Sequence, residues 1–416
     1  MKIAFLTLGC KLNYAETSTY ERGFKAAGLE VVPWSDKADI YLVNTCSVTA
    51  TSDSKSRNLV RKVHRVNPEA AVIVTGCSAQ LRREEIEAIE GVTRVFGATE
   101  KQSVVPETLA LLGLAKTNGR NPGPSGVFGA FSTGERTRSF LKVQDGCNNF
   151  CKYCTVPYAR GESRNIPISE CVCNARKIAQ EGVKEIVLTG VNTGDFGRST
   201  GETFLDLLKA LEEVDGIERY RISSIEPNLL EDNIIDWIAS GTKFQPHFHI
   251  PLQAGTDTLL RSMGRHYDTD FFERKIDYVR RRLEGPGKPL VFFGIDVMAG
   301  LPGETDDLFR QGYDFIRRIR PAFIHVFPYS RRPGTPAAEM PGQVPDNVKK
   351  MRVEELEGLC SALHEDFIRA NRGVREKVLF ESTDRGGKME GYTGNYIRTE
   401  REYDPALCGK IVDVVI

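Results

Sequence analysis

The 416-residue sequence has no net charge, because 56 basic side chains are offset by 56 acidic ones. Composition therefore gives no evidence for a nucleic-acid partner, and any such partner has to be argued from local patches. Long hydrophobic runs are missing as well. No stretch approaches the roughly 18 uninterrupted apolar residues of a membrane helix, and even Pro289 to Pro302 is broken by Asp296 and by glycines. The start from Met1 to Cys10 imitates a lipoprotein leader. Its apolar core is shorter than the roughly 7 to 15 residues a leader needs, so it reads as a first strand. No membrane partner is expected, and the chain reads as soluble and cytoplasmic. Internal repeats and low-complexity tracts are also missing. Ten cysteines are too few for a disulfide scaffold, and they suit metal ligation in a reducing compartment better. At roughly 100 to 200 residues per domain the length predicts two to four domains.

Six of the ten cysteines form two constellations. The sharper is Gly146-Cys147-Asn148-Asn149-Phe150-Cys151-Lys152-Tyr153-Cys154. Three thiolates spaced CxxxCxxC suit three irons of a [4Fe-4S] cluster and leave the fourth iron open to a cofactor. Electron carriers normally supply a fourth cysteine, and structural zinc normally takes four closed ligands in two paired spacings. The second constellation is Leu8-Gly9-Cys10, Asn44-Thr45-Cys46 and Thr75-Gly76-Cys77, each ending a short apolar run. The carboxyl ends of parallel strands share one edge, where open sheets place their ligands, so the three thiols are expected to converge. The alternative is three buried free thiols.

The runs Ile3 to Leu8, Ile40 to Asn44 and Ala71 to Thr75 predict parallel strands, with helices at about Glu16 to Ala27, Asp53 to Val66 and Arg82 to Ile89. Thr117 to Phe131 is dense in Gly and Pro and predicts a linker. From Ser139 the βα alternation resumes, with strands expected at Phe140 to Gln144, Glu185 to Leu188, Tyr220 to Ile225, Phe248 to Leu252, Val291 to Val297 and Ile324 to Phe327. Six strands predict a partial (β/α)6 barrel whose strand-end loops build the active site, the Cys147 loop among them. A long helix from about Val344 to Asn371 precedes a short β module. The predicted class is α/β, with domains at 1–116, 132–372 and 373–416 joined across 117–131.

The CxxxCxxC loop, completed by Tyr153, resembles the signature of the radical S-adenosylmethionine (SAM) enzymes. In those enzymes the open iron chelates SAM and cleaves it to a 5′-deoxyadenosyl radical. The chain as a whole resembles the methylthiotransferases of that superfamily. The resemblance is carried by Thr7 to Asn13, Asn44 to Thr49, Thr75 to Cys77, Gln144 to Cys151 and Pro157 to Arg164. Leu8-Gly9-Cys10-Lys11-Leu12-Asn13 looks most like the MtaB-like branch. The resemblance implies conversion of N6-threonylcarbamoyladenosine beside the anticodon of tRNA to its 2-methylthio derivative. It implies SAM and two [4Fe-4S] clusters, an auxiliary one on Cys10, Cys46 and Cys77 and the SAM cluster on Cys147, Cys151 and Cys154. An external electron donor and a sulfur donor are implied partners. Two other readings remain open at this level. One is a RimO-like enzyme modifying a ribosomal protein, whose first motif usually reads Gly-Cys-Pro-Lys-Asn; the other is a non-catalytic two-cluster RNA-binding protein.

Radical SAM enzymes imply further contacts. Tyr153 is expected to pack on the cofactor. Gly190, Asn192 and Thr193 follow the second barrel strand, where glycine permits close approach to a ligand. Ser223, Ser224 and Glu226 end the third strand, and Glu226 suits ribose hydroxyls. Gln253 and His249 are weaker candidates, since a strand histidine is more often a satisfied core residue. Gly300 to Thr305 resembles the adenine-side turn, although Thr305 also suits a helix cap. No catalytic side chain is assigned. For RNA, Arg331 and Arg332 lie on an expected active-site loop beside Tyr329, which suits base stacking. The tail resembles a TRAM domain, a small RNA-binding β-barrel, in which Tyr392, Tyr396 and Arg398 would contact RNA.

Overall fold

The computed structural model describes residues 1–114, 126–134 and 137–416, with the side chain of Ala50 left aside. Most of the expected linker therefore lies outside the described residues. Its last residue, Phe131, makes an isolated antiparallel bridge to Leu141.

The N-terminal sheet is parallel and contains β1 (Lys2–Thr7), β2 (Glu30–Val32), β3 (Ile40–Thr45), β4 (Ala71–Gly76) and β5 (Val92–Val95) in the order β2-β1-β3-β4-β5. Strand β3 is buried along its whole length, as a two-sided parallel strand must be. Strands β2 and β5 are edge strands of mixed polarity, and they carry no apolar run for a sequence pattern to find. The helix expected at Arg82 to Ile89 is the short helix Arg83–Glu87, and a further short helix, Cys77–Leu81, comes before it. The latter begins at Cys77 itself, which places that thiol at the junction of strand and helix.

The central unit is a partial barrel in two three-stranded halves. One contains β6 (Arg138–Lys142), β9 (Glu185–Thr189) and β10 (Arg219–Ile222) in the order β10-β9-β6. Between β6 and β9 lies a small ribbon of β7 (Gln144–Asp145) and β8 (Arg164–Asn165). The other half is β11 (His247–His249), β12 (Phe292–Ala299) and β13 (Phe323–Pro328). The bridges Tyr220↔Phe244 and Ser224↔His249 join the halves. All ladders within the two halves are parallel, and one continuous apolar core runs from Val127 to Leu363. Strands β6 and β13 are the outer members, so the barrel is open between them.

The N-terminal sheet spans that opening. Its first helix, Lys11–Ala26, packs on β6 through Tyr14 and Phe140, whose rings meet edge to face at 5.8 Å. On the other side, Arg332, which follows β13, donates to Ser47 at 3.0 Å and pairs with Asp53 at 3.4 Å. The tail is a four-stranded antiparallel sheet of β14 (Arg375–Phe380), β15 (Lys388–Thr393), β16 (Arg398–Glu402) and β17 (Ile411–Val415), ordered β16-β15-β14-β17. It sits against the amino ends of the barrel strands. Arg221 donates to the carbonyls of Gly394 and Thr393 at 2.7 and 2.8 Å while holding Glu185 at 2.8 Å. No helix among the described residues is long and apolar enough to cross a membrane.

Candidate active site

The register of the N-terminal sheet aligns Thr7, Asn44 and Thr75, so Cys10, Cys46 and Cys77 leave one edge together. Asn13 ties that edge, donating to the carbonyls of Leu8 at 2.8 Å and Thr45 at 3.0 Å. Thr45 donates to the carbonyl of Thr75 at 2.6 Å. Gly9 has φ +104°, and a Cβ there would sit 2.9 Å from the Cys46 Sγ. A side chain at that position is barred by both backbone and space. Cys10 is exposed, whereas Cys46 and Cys77 are buried, and all three are free thiols. Burial pushes the Cys46 thiol up to about 11, with Cys77 and Cys10 adding to the shift. Burial raises Cys77 as well, against the pull of Arg160.

The loop after β7 carries the second trio. Gly146 has φ +75° and lies against the backbone of Glu162, so it too admits no side chain. The loop is clamped from both ends. Gln144 donates to the Gly146 carbonyl at 2.7 Å, the Cys147 amide donates to the Gly161 carbonyl at 3.1 Å, and Asn148 Oδ1 accepts from the Ser163 amide at 2.9 Å. Burial raises Cys147 to about 11 and Cys154 to about 12. Donors nevertheless point at the sulfurs: the amide of Asn149 at Cys147 (3.5 Å), the amide of Val156 at Cys154 (3.4 Å), and Arg265 at Cys151 (3.1 Å). Buried thiols that favour the neutral form, surrounded by groups that donate to sulfur, fit a site whose thiolates are formed by metal. The donor set of each trio thus suits an iron-sulfur cluster.

Around this loop the expected cofactor residues come together. Gln144 Oε1 accepts from the amides of Val191 and Asn192 at 2.9 and 3.0 Å, which draws the turn after β9, with Gly190, against the cysteine loop. Asn192 Oδ1 accepts from the Glu226 amide at 3.3 Å, and Thr193 donates to the Ser224 carbonyl at 3.0 Å. Ser223 Oγ and Glu226 Oε2 are buried without a hydrogen-bond partner. Two orphaned polar atoms at the carboxyl ends of barrel strands fit a ligand with hydroxyl and amino groups. Gln253 adopts φ +69° and its amide donates to the Asp296 carbonyl at 2.7 Å, so its side chain is set by a strained backbone. Thr305 caps the helix Asp306–Ile319 by accepting from the Leu308 amide, while Glu304 accepts from the amides of Gly300 and Leu301.

Sequence reasoning missed Arg265. Its guanidinium reaches Cys151, donates to the Tyr153 hydroxyl at 3.3 Å and pairs with Glu226 at 2.7 Å, so one cation organises three candidate residues. It lies 114 residues from Cys151 in the chain, and no local motif announces it. The five-charge network between the domains was also missed. Glu16 contacts Lys101 and Lys142, each at 2.8 Å, and Arg160 at 3.3 Å. Asp145 contacts Lys142 and Arg160, each at 2.7 Å, and Lys101 at 3.2 Å. Against the cost of burial, the three cations hold Glu16 down to about 2.

Some expectations fail. Arg332 is not open to RNA, because it is 4% exposed and engaged with Ser47 and Asp53. Tyr329, 3% exposed, offers no stacking face. Arg331 stays at the surface, with Glu339 at 3.8 Å. Arg398 is exposed beside Glu390 at 3.4 Å. Tyr392 and Tyr396, 5.2 Å apart, line a cavity of about 870 Å³ between the three units. That cavity is also lined by Cys10, Lys11, Arg138, Arg221, His249 and His325. His249 hydrogen-bonds Asp296 at 2.8 Å and tilts against His325 at 5.1 Å, and it belongs to this cavity rather than to the packed core.

Two family models match the chain: the uncharacterized protein family UPF0004 over residues 2–97, and the radical SAM superfamily over residues 141–316. Among curated proteins, the threonylcarbamoyladenosine tRNA methylthiotransferase MtaB of Bacillus subtilis is 37% identical over all of this chain and 93% of its own length. The protein of the same name from Aquifex aeolicus is 34% identical over the full length of both. Among solved structures, the radical S-adenosylmethionine methyltransferase TsrM of Kitasatospora setae superposes with a TM-score of 0.58 at 15% identity, covering 81% of this chain and 77% of that one. That likeness extends to the fold. Full-length identity at this level, together with the radical SAM match and both cysteine trios, makes the chain an enzyme of the radical SAM methylthiotransferase family.

Proposed function

We propose that the enzyme converts N6-threonylcarbamoyladenosine beside the anticodon of tRNA to its 2-methylthio derivative. Its cofactors are those of the family, SAM and [4Fe-4S] clusters. In this reading residues 1–116 carry the auxiliary cluster on Cys10, Cys46 and Cys77. Residues 132–372 carry the SAM cluster on Cys147, Cys151 and Cys154, residues 117–131 join these two parts, and residues 373–416 face RNA. Tyr153, Gly190, Asn192, Thr193, Ser223, Ser224, Glu226 and Gln253 surround SAM, with Arg265 positioning Tyr153 and Glu226. The observation that carries the reading is the position of Cys10. It is the exposed member of its trio, and it borders a cavity in the barrel opening that also holds barrel and tail residues. A volume of about 870 Å³ is enough for a modified nucleoside, within the usual range of ligand pockets.

When bound, the cofactors supply an electron, radical removal of hydrogen from an unactivated adenine carbon, and the sulfur and methyl groups. The chain's own residues orient the base and shield it. Tyr392 and Tyr396 offer flat faces beneath Arg138, whose guanidinium stacks 4.8 Å and 5.4 Å from their rings. Phe140, Val187 and Phe292 add apolar surface to the lining, which helps keep water from a reactive centre. An external electron donor, a sulfur donor and tRNA are the partners, and the cytoplasm is where they meet. Nucleosides from a strain lacking the chain should keep N6-threonylcarbamoyladenosine and lose its 2-methylthio form. Persistence of that form where no second such enzyme exists would reject the reading.

A further inference from the structure

Lys11, the first residue of the helix Lys11–Ala26, lines the central cavity directly after Cys10. The residue is exposed and lines the cavity, desolvation there lowers its pKa, and its side chain makes no hydrogen bond or ion pair with any described residue. The other strong cations on that wall are all engaged. Arg138 pairs with Glu381 at 2.6 Å and donates to the Tyr396 hydroxyl at 3.0 Å. Arg221 is taken by Glu185 and by two tail carbonyls, and Arg398 lies 3.4 Å from Glu390. Among the described residues the one carboxylate on the wall, Glu381, pairs with Arg138. Asp296, an acid whose charge acts on Lys11, is engaged by His249 at 2.8 Å. The cavity therefore presents one free positive charge in a recess with low-dielectric walls, where an unpaired cation gains most from an incoming anion.

The adenosine named in the proposed function carries one such anion, the carboxylate of its threonyl group, at the end of the N6 substituent. We propose that Lys11 pairs with that carboxylate and is a specificity-determining residue, selecting an acid-bearing N6 substituent over an apolar one. The inference rests on the proposed substrate. The geometry agrees with the chemistry, since Cys10 and Lys11 are chain neighbours. A base held with its edge towards the Cys10 site lies within reach of the ammonium on the same wall. A lysine supplies a point charge with rotatable donors and tolerates the several rotamers of a threonyl arm, which a bidentate arginine would not. A site built to bind a charged group also discriminates against an analogue without it, because the cation in the recess then gains no partner.

The same cation would equally serve a backbone phosphate of the RNA, and the test separates the two. Anticodon stem-loop RNAs carrying either N6-threonylcarbamoyladenosine or its methyl ester are compared as substrates and as ligands of the reconstituted, cluster-loaded protein. The wild type is expected to favour the acid by roughly 10- to 100-fold in kcat/KM and in affinity, the size of a charge-assisted hydrogen bond. Lys11→Gln should bring that ratio to within about threefold of unity, mainly by losing the acid. Lys11→Arg, which keeps the charge, should retain a clear preference, and iron content measured on each variant reports whether the adjoining Cys10 site survives. An unchanged acid-to-ester ratio in Lys11→Gln overturns the inference. So does an equal loss on both RNAs, the outcome expected of a phosphate contact. A wild type that modifies neither RNA but modifies one with an apolar N6 substituent overturns the substrate reading itself.

Discussion

Arg160 and Asn13 meet at 2.6 Å across the junction of the N-terminal sheet and the barrel. Asn13 lies three residues after Cys10 and ties the strand ends of its own sheet, while Arg160 pairs with Asp145, two residues before Cys147. This hydrogen bond links one cysteine site directly to the other. Around it the three cations Lys101, Lys142 and Arg160 face the two acids Glu16 and Asp145, all buried. Against its burial, Arg160 is held in its charged form first by Asp145 and then by Cys77, Glu16 and Cys10, so the surplus positive charge lies near the auxiliary cysteines. A cluster bearing net negative charge would be stabilised there.

Breaking this network should be costly. Glu16→Gln leaves three buried cations with one acid, and loss of one partner of a buried pair typically costs about 3 to 5 kcal/mol. Denaturant unfolding of the variant should show that loss. The sign of the pH dependence follows from Glu16, whose carboxyl is held down to about 2. Its contribution is present at neutral pH and disappears only as pH falls below the ordinary carboxylate range towards 2. The wild-type advantage over Glu16→Gln should therefore be constant from pH 8 to 5 and shrink below about pH 4.5.

Glu376 in the tail behaves in the opposite way. Burial raises its carboxyl to about 7, despite the pull of Arg219 and Arg221. A raised carboxyl adds stability below the unfolded value near 4.5 and loses it as pH rises through about 7. Melting temperature should accordingly fall between pH 5 and pH 8 by an amount equivalent to roughly 2 kcal/mol, and Glu376→Gln should flatten that slope.

The two neighbouring arginines should separate. Arg331→Ala removes an exposed cation and is expected to lower the slope of log affinity for tRNA against log salt by roughly 0.7 to 0.9, with the deficit largest at low salt. Arg332→Ala should leave that slope unchanged and lower the melting temperature instead, because its guanidinium anchors the barrel to Ser47 and Asp53. A shared effect on the slope would contradict the burial of Arg332.

The sequence made the cysteine trios and the alternation of strands and helices legible for local reasons. A cysteine at a strand end and CxxxCxxC in one loop are contiguous, and β3 and β4 open on the apolar runs Ile40 to Val43 and Ala71 to Val74. What it hid is made by distant pairs. Arg265 finds Cys151 across the barrel, Glu16 finds Lys142 across a domain junction, and Arg332 turns inward because Asp53 waits on another sheet. The pair Arg331 and Arg332 looks alike in sequence, and only the tertiary partner distinguishes surface from latch. The tail reads in sequence as a small barrel-like β module, and among the described residues it is a four-stranded antiparallel sheet held to the amino end of β10 by Arg219 and Arg221.

Two separate cysteine sites imply separable losses. Cys10→Ala, Cys46→Ala or Cys77→Ala should each lower iron content by about half, as loss of one of two [4Fe-4S] clusters requires, while cleavage of SAM to 5′-deoxyadenosine stays detectable. Folded variants that cleave no SAM at all would show that the sites are not independent.

The most direct measurement is turnover of the purified, cluster-loaded enzyme with SAM, a low-potential reductant and an anticodon stem-loop RNA bearing N6-threonylcarbamoyladenosine. Nucleoside mass spectrometry should find the 2-methylthio derivative of that base, with SAM consumed both as methyl donor and as radical source. Absence of that product, alongside methylthiolation of an N6-isopentenyladenosine RNA or of a ribosomal protein under the same conditions, would contradict the account.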